Sequence, residues 1–328
     1  MTNIHIFGNY GKIFKQDEHL LYKDRDGKIV RILPSHTGMI ALYGNISLTG
    51  EAISMLSKNH IPLLMKTGPG KSNVSLNYGD GKNVFLRLAQ YRLYENEEKS
   101  ARIARSIVVG KIRNQLAFMQ RLKRSRQAAW TEEITKDFEL AAQRMKALMA
   151  DARKLADVKS LRGVEGFCSR LYFSALKNNI IPSWAKFESR SRQPPLSNVN
   201  AVLSFLYALL SDEVTFIIES RGLDSMIGSL HELSYSRNSL TYDLMEEFRT
   251  PVADTLCCRL FNNKILCEAD FEPRDGGVFL TKEGRKKVVK GFEEKMQEGY
   301  REILFSQSEL YKDVAMGRAV AYEPFVFK

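Results

Sequence analysis

Short apolar runs separated by turn residues make up the N-terminal part of the chain. The turn DRDG at residues 24–27 separates GKIFKQDEHLLYK from KIVRILP, and an Asp-Gly step between apolar runs is typical of a β-hairpin. Further runs are MIALYGNIS and HIPLLMKT, and between them Ala52, Met55 and Leu56 recur at helical spacing. We therefore predict a small β domain over residues 1–82, interrupted by one short helix and ending in a loop or hairpin tip, GPGKSNVSLNYGDGK.

From Asn83 onward the apolar positions follow helical spacing. One long segment without proline has a broad apolar face, made of Ile103, Ile107, Val108, Ile112 and Leu116. Further helical stretches are TKDFELAAQRMKALMADARKL, GVEGFCSRLYFSALKN, NVNAVLSFLYALLSDEVTFII, LTYDLMEEF and KEGRKKVVKGFEEKMQ. These stretches predict a larger all-α domain over residues 83–328, so that the fold class is α+β multidomain.

The charge balance indicates a polyanionic partner. Lys and Arg number 49 against 38 Asp and Glu among the 328 residues, which gives a formal charge of +11. Nucleic acid is the first candidate and an anionic membrane surface the second. No stretch approaches the roughly 18 apolar residues of a membrane span, and the four cysteines form no CxxC pair, which argues against a thiolate zinc site. Free thiols fit a reducing cytoplasm.

The sequence lacks the motifs by which several large enzyme families are usually recognised. The sequence has no GxGxxG, GxSxG or HExxH motif, and the run Gly68-Pro69-Gly70-Lys71 lacks the spacing of a phosphate-binding loop. We therefore expect no bound nucleotide cofactor.

A histidine and several carboxylates remain as candidates for chemistry. By its position alone, Glu165 reads as a glutamate in the first turn of a helix, and His231 as a surface or core histidine. Asp243 and Glu246 lie opposite the apolar stripe of their helix, which is typical of a solvated face. The same i, i+3 geometry would let both serve one ion, and oxygen ligands with one imidazole suit Mg²⁺ or Mn²⁺.

Basic side chains cluster along the long helical segment and in KFESRSRQPP. Such residues neutralise phosphates without reading sequence, although each alone is an ordinary surface charge. They are Arg102, Arg105, Lys111, Arg113, Arg121, Lys123, Arg124, Arg126, Lys186, Arg190 and Arg192.

In their order along the chain, five segments resemble the CRISPR-associated adaptation integrase, the catalytic "Cas one" subunit that inserts new spacers into CRISPR arrays. They are SLTGEAISMLSKNHIPLLMKT, LRGVEGFCSRLYF, FESRSRQPPLSNVNAVLSFLYALL, RGLDSMIGSLHE and SLTYDLMEEFRTP. The resemblance covers essentially the whole chain. Ser225, Ser229 and Thr250 depart from the family pattern, and none of these departures removes a candidate ligand.

The resemblance implies that Glu165, His231 and Glu246 bind Mg²⁺ or Mn²⁺, with Glu246 preferred over Glu247 as third ligand and Asp243 as a further catalytic residue. It implies a β-sandwich-like N-terminal domain for dimerisation and partner contacts, a homodimer, and a small "Cas two" partner. It further implies that the substrates are double-stranded DNA, namely the incoming spacer and the CRISPR leader–repeat. By the same resemblance, we expect a 3′-hydroxyl to attack a phosphodiester by transesterification, without ATP, in a prokaryotic cytoplasm and away from membranes.

Three other functions are compatible with the same residues. The site could serve a structure-specific nuclease that acts on branched DNA in repair, or the chain could be a non-catalytic DNA-binding scaffold. A third alternative is a membrane-surface or protein-interaction module that uses the basic helix, but the broad apolar face of that helix favours a core or dimer position.

Overall fold

The structure is a computed structural model that describes residues 2–8, 10–66, 73–76, 83–179, 182–185 and 187–327. The chain forms two compact units, Met1–Lys82 and Asn83–Lys328. The run at residues 68–71, most of the predicted glycine-rich loop and Lys186 lie outside the described residues.

The described part of the N-terminal unit contains eight strands and one helix. Its strands are β1 (Thr2–Phe7), β2 (Gly11–Gln16), β3 (His19–Asp24), β4 (Ile29–Ile32), β5 (Thr37–Tyr43), β6 (Ile46–Leu48), β7 (Leu63–Lys66) and β8 (Asn73–Leu76), and its helix is α1 (Gly50–Lys58). One sheet has the order β1-β5-β7-β8 and the other β4-β3-β2-β6. A short 3₁₀ turn, Pro34–His36, precedes β5.

The predicted hairpin and helix of this unit are confirmed. Strands β3 and β4 pair antiparallel across residues 24–27, and Gly27 has a φ of +84° that a side chain would disfavour. Helix α1 buries Ala52, Met55 and Leu56. They belong to one apolar cluster that also includes Ile13 from one sheet and Ile40 from the other, so both sheets contribute to the same core.

The described part of the C-terminal unit is mainly helical. Its helices are α2 (Val84–Glu95), α3 (Glu97–Arg126), α4 (Glu132–Ala152), α5 (Val158–Leu176), α6 (Asn198–Ser220), α7 (Ser239–Phe248), α8 (Thr255–Asn262), α9 (Lys282–Lys295) and α10 (Arg301–Ala315). Short 3₁₀ turns span Gln127–Ala129, Lys177–Asn179 and Glu268–Asp270, and π-helical turns span Arg249–Asp254 and Met296–Tyr300. The antiparallel pair β9 (Phe271–Arg274) and β10 (Gly277–Leu280) makes the all-α prediction wrong in this detail.

The long proline-free segment is two helices rather than one. Asn96 separates α2 from α3, because its side chain accepts a hydrogen bond from the Lys99 amide at 3.0 Å and so caps α3. The apolar face predicted for α3 is buried, with Ile107, Val108 and Ile112 fully inaccessible.

Helix α6 departs from the expectation that no stretch approaches the length and apolar composition of a membrane span. Among the described residues it alone is long and apolar enough by length and composition, with a mean hydropathy of 1.7 over its best window. Within that window 56% is buried inside the protein, and the core helix of a folded protein passes the same test.

Candidate active site

Three of the four predicted site residues meet beside one face of α3. Glu165 comes from α5, His231 from the loop between α6 and α7, and Glu246 from α7. Lys111 of α3 forms an ion pair with both glutamates, and His231 Nε2 lies 3.9 Å from Glu246 Oε1. Asp243 joins the group through His231, so the structure brings all four predicted residues into one constellation.

Glu165 lies two turns into α5 rather than in its first turn. The helix begins earlier than the sequence pattern indicated, because the Asp157 carboxylate accepts hydrogen bonds from the amides of Lys159 (3.2 Å) and Ser160 (2.7 Å) and caps it. The helix-dipole explanation for Glu165 is therefore wrong. Its carboxylate instead accepts a hydrogen bond from Ser169 Oγ at 2.9 Å and pairs with Lys111.

The acidic residues of α7 are buried, which overturns the expectation of a solvated face. Asp243, Glu246 and Glu247 are all at most 3% exposed. The helix also passes into a π-helical turn at Arg249, so a projection of 100° per residue fails beyond Phe248. A buried charge is costly without a partner. The contacts of each carboxylate therefore indicate its function.

Asp243 organises the loop that carries His231. Its carboxylate accepts hydrogen bonds from the amides of Ser229 (2.5 Å), Leu230 (2.8 Å) and His231 (2.9 Å), and from His231 Nδ1 (2.7 Å). Gly228 permits this approach, since a Cβ there would lie 2.5 Å from Asp243 Oδ2. In the neutral form of the ring, donation from Nδ1 to this carboxylate leaves the lone pair on Nε2, which is the usual arrangement of a metal-binding imidazole.

Glu246 is held by cations. Lys111 Nζ lies 2.6 Å from its Oε2 and Arg249 Nε lies 3.1 Å from its Oε1. Burial alone would raise the pKa of Glu246, but Arg249, Lys111 and His231 lower that pKa to about 2. Burial likewise opposes the charge of Lys111, while Glu246 and Glu165 raise its pKa. The Glu246 carboxylate and the Lys111 ammonium are therefore both charged at neutral pH.

Glu247 faces a different part of the protein. Tyr322 Oη donates to its Oε1 at 2.5 Å, and the Phe325 amide donates to its Oε2 at 2.7 Å. Burial raises the pKa of Glu247 to about 8. Glu247 thus contacts the C-terminal segment, whereas Glu246 lies with Lys111 and His231.

Arg249 is kept in place by an aromatic ring and a buried hydrogen-bond network. Its guanidinium carbon lies 4.8 Å from the ring centroid of Tyr207, and Tyr207 Oη donates to Asp254 at 2.6 Å. Tyr172 Oη donates to the same carboxylate at 2.8 Å, and burial raises the pKa of Asp254. Arg190 lies against the same Tyr207 ring, 5.4 Å from its centroid.

The donor atoms fit a divalent cation in their chemistry, although not in their present spacing. Among the described residues, no three His, Cys, Asp or Glu side chains converge closely enough to hold a metal ion, since the Lys111 ammonium lies between Glu165 and Glu246. Glu246 Oε2 is buried and takes part only in the ion pair with Lys111 Nζ, 2.6 Å away. Two carboxylates and a free imidazole nitrogen are a donor set that suits Mg²⁺ or Mn²⁺.

Sequence reasoning did not assign Lys111 and Arg249 to this site. Lys111 was one of many basic residues on its helix, and it precedes Glu165 by 54 positions, so no local pattern connects them. Arg249 lies three residues after Glu246, and that spacing on a helix could have indicated the contact.

The chain combines a small β unit with a helical unit that carries a partly buried histidine–carboxylate site. The model of the family described as CRISPR associated protein Cas1 matches residues 4–294. The chain therefore belongs to the Cas1 family, which confirms the resemblance seen in the sequence.

Named relatives and solved structures agree with this assignment. The CRISPR-associated endonuclease Cas1 3 of Thermus thermophilus is 31% identical over 300 residues, which cover 88% of this chain and 86% of that protein. A Cas1 protein structure from Thermotoga maritima has a TM-score of 0.83 at 25% identity and covers 100% of this chain and 99% of that chain.

Two further structures share the fold at lower identity. A casposase bound to integration product has a TM-score of 0.87 at 21% identity, covering 100% of this chain and 95% of the other. A chain of a Cas6-RT-Cas1–Cas2 complex has a TM-score of 0.83 at 22% identity, covering 100% of this chain and 36% of the other.

Proposed function

We propose that the protein is a metal-dependent DNA endonuclease and integrase that inserts new spacer DNA into a CRISPR array. The observation that carries this proposal is that Glu165 and Glu246 share the ammonium of Lys111, while His231 Nε2 lies 3.9 Å from Glu246 Oε1. Two relatives support the proposal. The Thermus thermophilus protein is named an endonuclease, and the casposase structure contains an integration product.

Glu165, His231 and Glu246 would hold Mg²⁺ or Mn²⁺, which when bound supplies Lewis-acid polarisation of a phosphodiester. Asp243 fixes the imidazole so that Nε2 faces Glu246. Arg249, a cation beside the same carboxylate, would stabilise negative charge on the phosphate oxygens. Asp243 and Arg249 therefore organise the site around the ligands.

The reaction is a transesterification. The 3′-hydroxyl of the incoming DNA loses its proton and forms a P–O bond, while the P–O bond to the leaving strand breaks and its 3′ oxygen takes up a proton. One phosphodiester replaces another, so no nucleotide hydrolysis is required.

The proposed partners are double-stranded DNA, a second copy of the chain and Cas2. The charge of +11 favours DNA, and a structural neighbour comes from a complex that contains Cas2. We assign dimerisation and partner contacts to the N-terminal unit, whose two sheets share one apolar core as in a sandwich-like arrangement. The reaction would take place in a prokaryotic cytoplasm.

A strand-transfer assay tests this function. Labelled DNA ending in a 3′-hydroxyl is incubated with Mn²⁺ and a leader–repeat target, beside the same DNA ending in a 3′-deoxynucleotide. We expect covalent joining that requires the 3′-hydroxyl and is stopped by EDTA. Cleavage of branched DNA without joining would support a repair nuclease instead, and DNA binding without any product would support a scaffold.

A further inference from the structure

The Lys111 ammonium occupies the position where the predicted metal ligands come together. Its side chain is 7% exposed, and it pairs with Glu165 of α5 and with Glu246 of α7. The buried carboxylate of Glu246 and the partly exposed carboxylate of Glu165 both lie against this ammonium, and they would repel each other without a cation between them. Lys111 therefore supplies from within the chain the positive charge that this arrangement requires.

We propose that Lys111 is an exchangeable counter-cation: it holds Glu165 and Glu246 together in the metal-free protein, and its ammonium is displaced when a divalent cation binds. This inference rests on the metal site of the proposed function. The two cations compete for the same oxygen atoms, notably Glu246 Oε2, which lies 2.6 Å from Lys111 Nζ. The exchange transfers no proton, because the displaced lysine remains an ammonium.

Only the side chain of Lys111 needs to move, because the backbone beside it is fixed. A Cβ at Gly110 would lie 2.5 Å from Pro324, so α3 packs directly against the C-terminal segment there. One turn further on, the Asn114 amide donates to the carbonyl of Glu247 at 2.8 Å and to that of Phe325 at 3.0 Å. A lysine has a flexible four-carbon stem, which lets its ammonium withdraw while the helix stays in place.

Arg249 is not the cation that exchanges. Of the two glutamates it pairs only with Glu246, and its guanidinium lies against the Tyr207 ring. A planar guanidinium held in this way loses contacts if it leaves, whereas the Lys111 ammonium lies over no aromatic ring in the part of the chain that the structure describes. Lys111 is thus the mobile positive charge of the site and Arg249 the fixed one.

Manganese binding to Lys111→Met tests the exchange without any activity measurement. Methionine keeps much of the side-chain volume and removes the charge. We expect the metal-free variant to melt below wild type, because its two glutamates are unscreened. Mn²⁺ should bind it about tenfold more tightly and raise its melting temperature by more than it raises that of wild type. Lys123→Met, which removes a lysine of the same helix paired with Glu139, should bind Mn²⁺ like wild type.

Comparison with Glu165→Gln distinguishes failure of this inference from failure of the proposed function. If Lys111→Met binds Mn²⁺ no more tightly than wild type, while Glu165→Gln loses binding, the metal site is right and the exchange is wrong. If neither wild type nor Lys111→Met binds Mn²⁺, the metal site is wrong and the exchange falls with it.

A labelling experiment on the wild-type protein covers the case in which Lys111→Met does not fold. An amine-reactive reagent followed by mass spectrometry reports the accessibility of each lysine. We expect Lys111 to be protected without metal and to become reactive in saturating Mn²⁺, while the labelling of Lys123 stays constant. Unchanged protection of Lys111 in saturating Mn²⁺ would overturn the proposal.

Discussion

At the scale of single residues, the neighbours Glu246 and Glu247 show how surroundings separate two identical side chains. Cations lower the pKa of Glu246 to about 2, whereas burial among neutral donors raises that of Glu247 to about 8. Glu246 is thus a permanent anion that pairs with cations. Glu247 is mostly a neutral acid at neutral pH, and it contacts the C-terminal segment.

Substitution of the two glutamates should therefore have different consequences. Glu246→Gln removes an anionic oxygen from the proposed ligand set, so we expect loss of strand transfer and of Mn²⁺ binding. Glu247→Gln should retain both, because it changes a residue that faces Tyr322. Strand transfer that survives Glu246→Gln and disappears in Glu247→Gln would reverse the assignment of the third ligand.

Glu247 also predicts a pH dependence of stability. An acid whose pKa is higher in the folded than in the unfolded chain binds more protons when folded, so its contribution falls as pH rises between the two values. For Glu247 that window runs from about 4.5 to about 8, with a slope of at most about 1.4 kcal/mol per pH unit. We expect the stability of wild type relative to Glu247→Gln to decrease across this window in urea unfolding. A constant difference would show that Glu247 titrates normally.

Asp243 acts through the residue that it orients. Asp243→Asn replaces an acceptor of three amides and one imidazole N–H by a side chain with a single acceptor oxygen. Changes of this kind weaken metal binding by about 10- to 100-fold, and we expect this loss in Mn²⁺ affinity together with a lower melting temperature. A lower melting temperature with unchanged Mn²⁺ affinity would make Asp243 purely structural.

At the scale of elements, α3 connects the site to the C-terminal segment. Asn114 donates to the carbonyls of Glu247 and Phe325 and accepts from the amide of Phe327 at 2.8 Å. Arg121 lies over the Phe327 ring, 3.9 Å from its centroid. The segment that ends the described chain thereby fixes the helix that carries Lys111.

Removal of the Asn114 amide should destabilise the helical unit. Asn114→Leu removes the partner of the buried Phe327 amide, of the buried Glu247 carbonyl and of the half-buried Phe325 carbonyl, and a buried group left without a partner costs about 1–3 kcal/mol. We expect urea unfolding to show a clear loss of unfolding free energy in this variant. The control Asn263→Ala, which alters an exposed asparagine, should show little change. Equal stability of the two variants would contradict this account of the C-terminal segment.

The sequence pattern predicted most helices of the C-terminal unit because their buried faces recur at helical spacing, as in α3. It failed where a single local contact decides the structure. Asn96 interrupts a segment with continuous helical periodicity, Asp157 starts α5 early, and the π-helical turn at Arg249 shifts the register of the residues after it. None of these contacts alters the spacing of apolar residues, on which the helix prediction was based.

At the scale of the whole molecule, the site depends on contacts between distant parts of the chain. Lys111 and Glu165 are 54 residues apart, and His231 reaches Glu246 only through a loop that Asp243 holds. Motif order along the chain indicated the three predicted ligands, but it could not show the cation between them. The position of Lys111 between the glutamates and the contact of Glu247 with the C-terminal segment both arise from the packing of the helices. Neither can be predicted from the sequence of any one segment.

Strand transfer by Glu165→Gln is the most direct test of the central claim, that Glu165, His231 and Glu246 form a metal-dependent integrase site. The matched control is Glu139→Gln, which alters a glutamate that pairs with Lys123 away from the site. With Mn²⁺, a leader–repeat target and DNA ending in a 3′-hydroxyl, we predict joined product for wild type and Glu139→Gln and none for Glu165→Gln, with DNA binding retained by all three. Normal joining by Glu165→Gln would contradict the account.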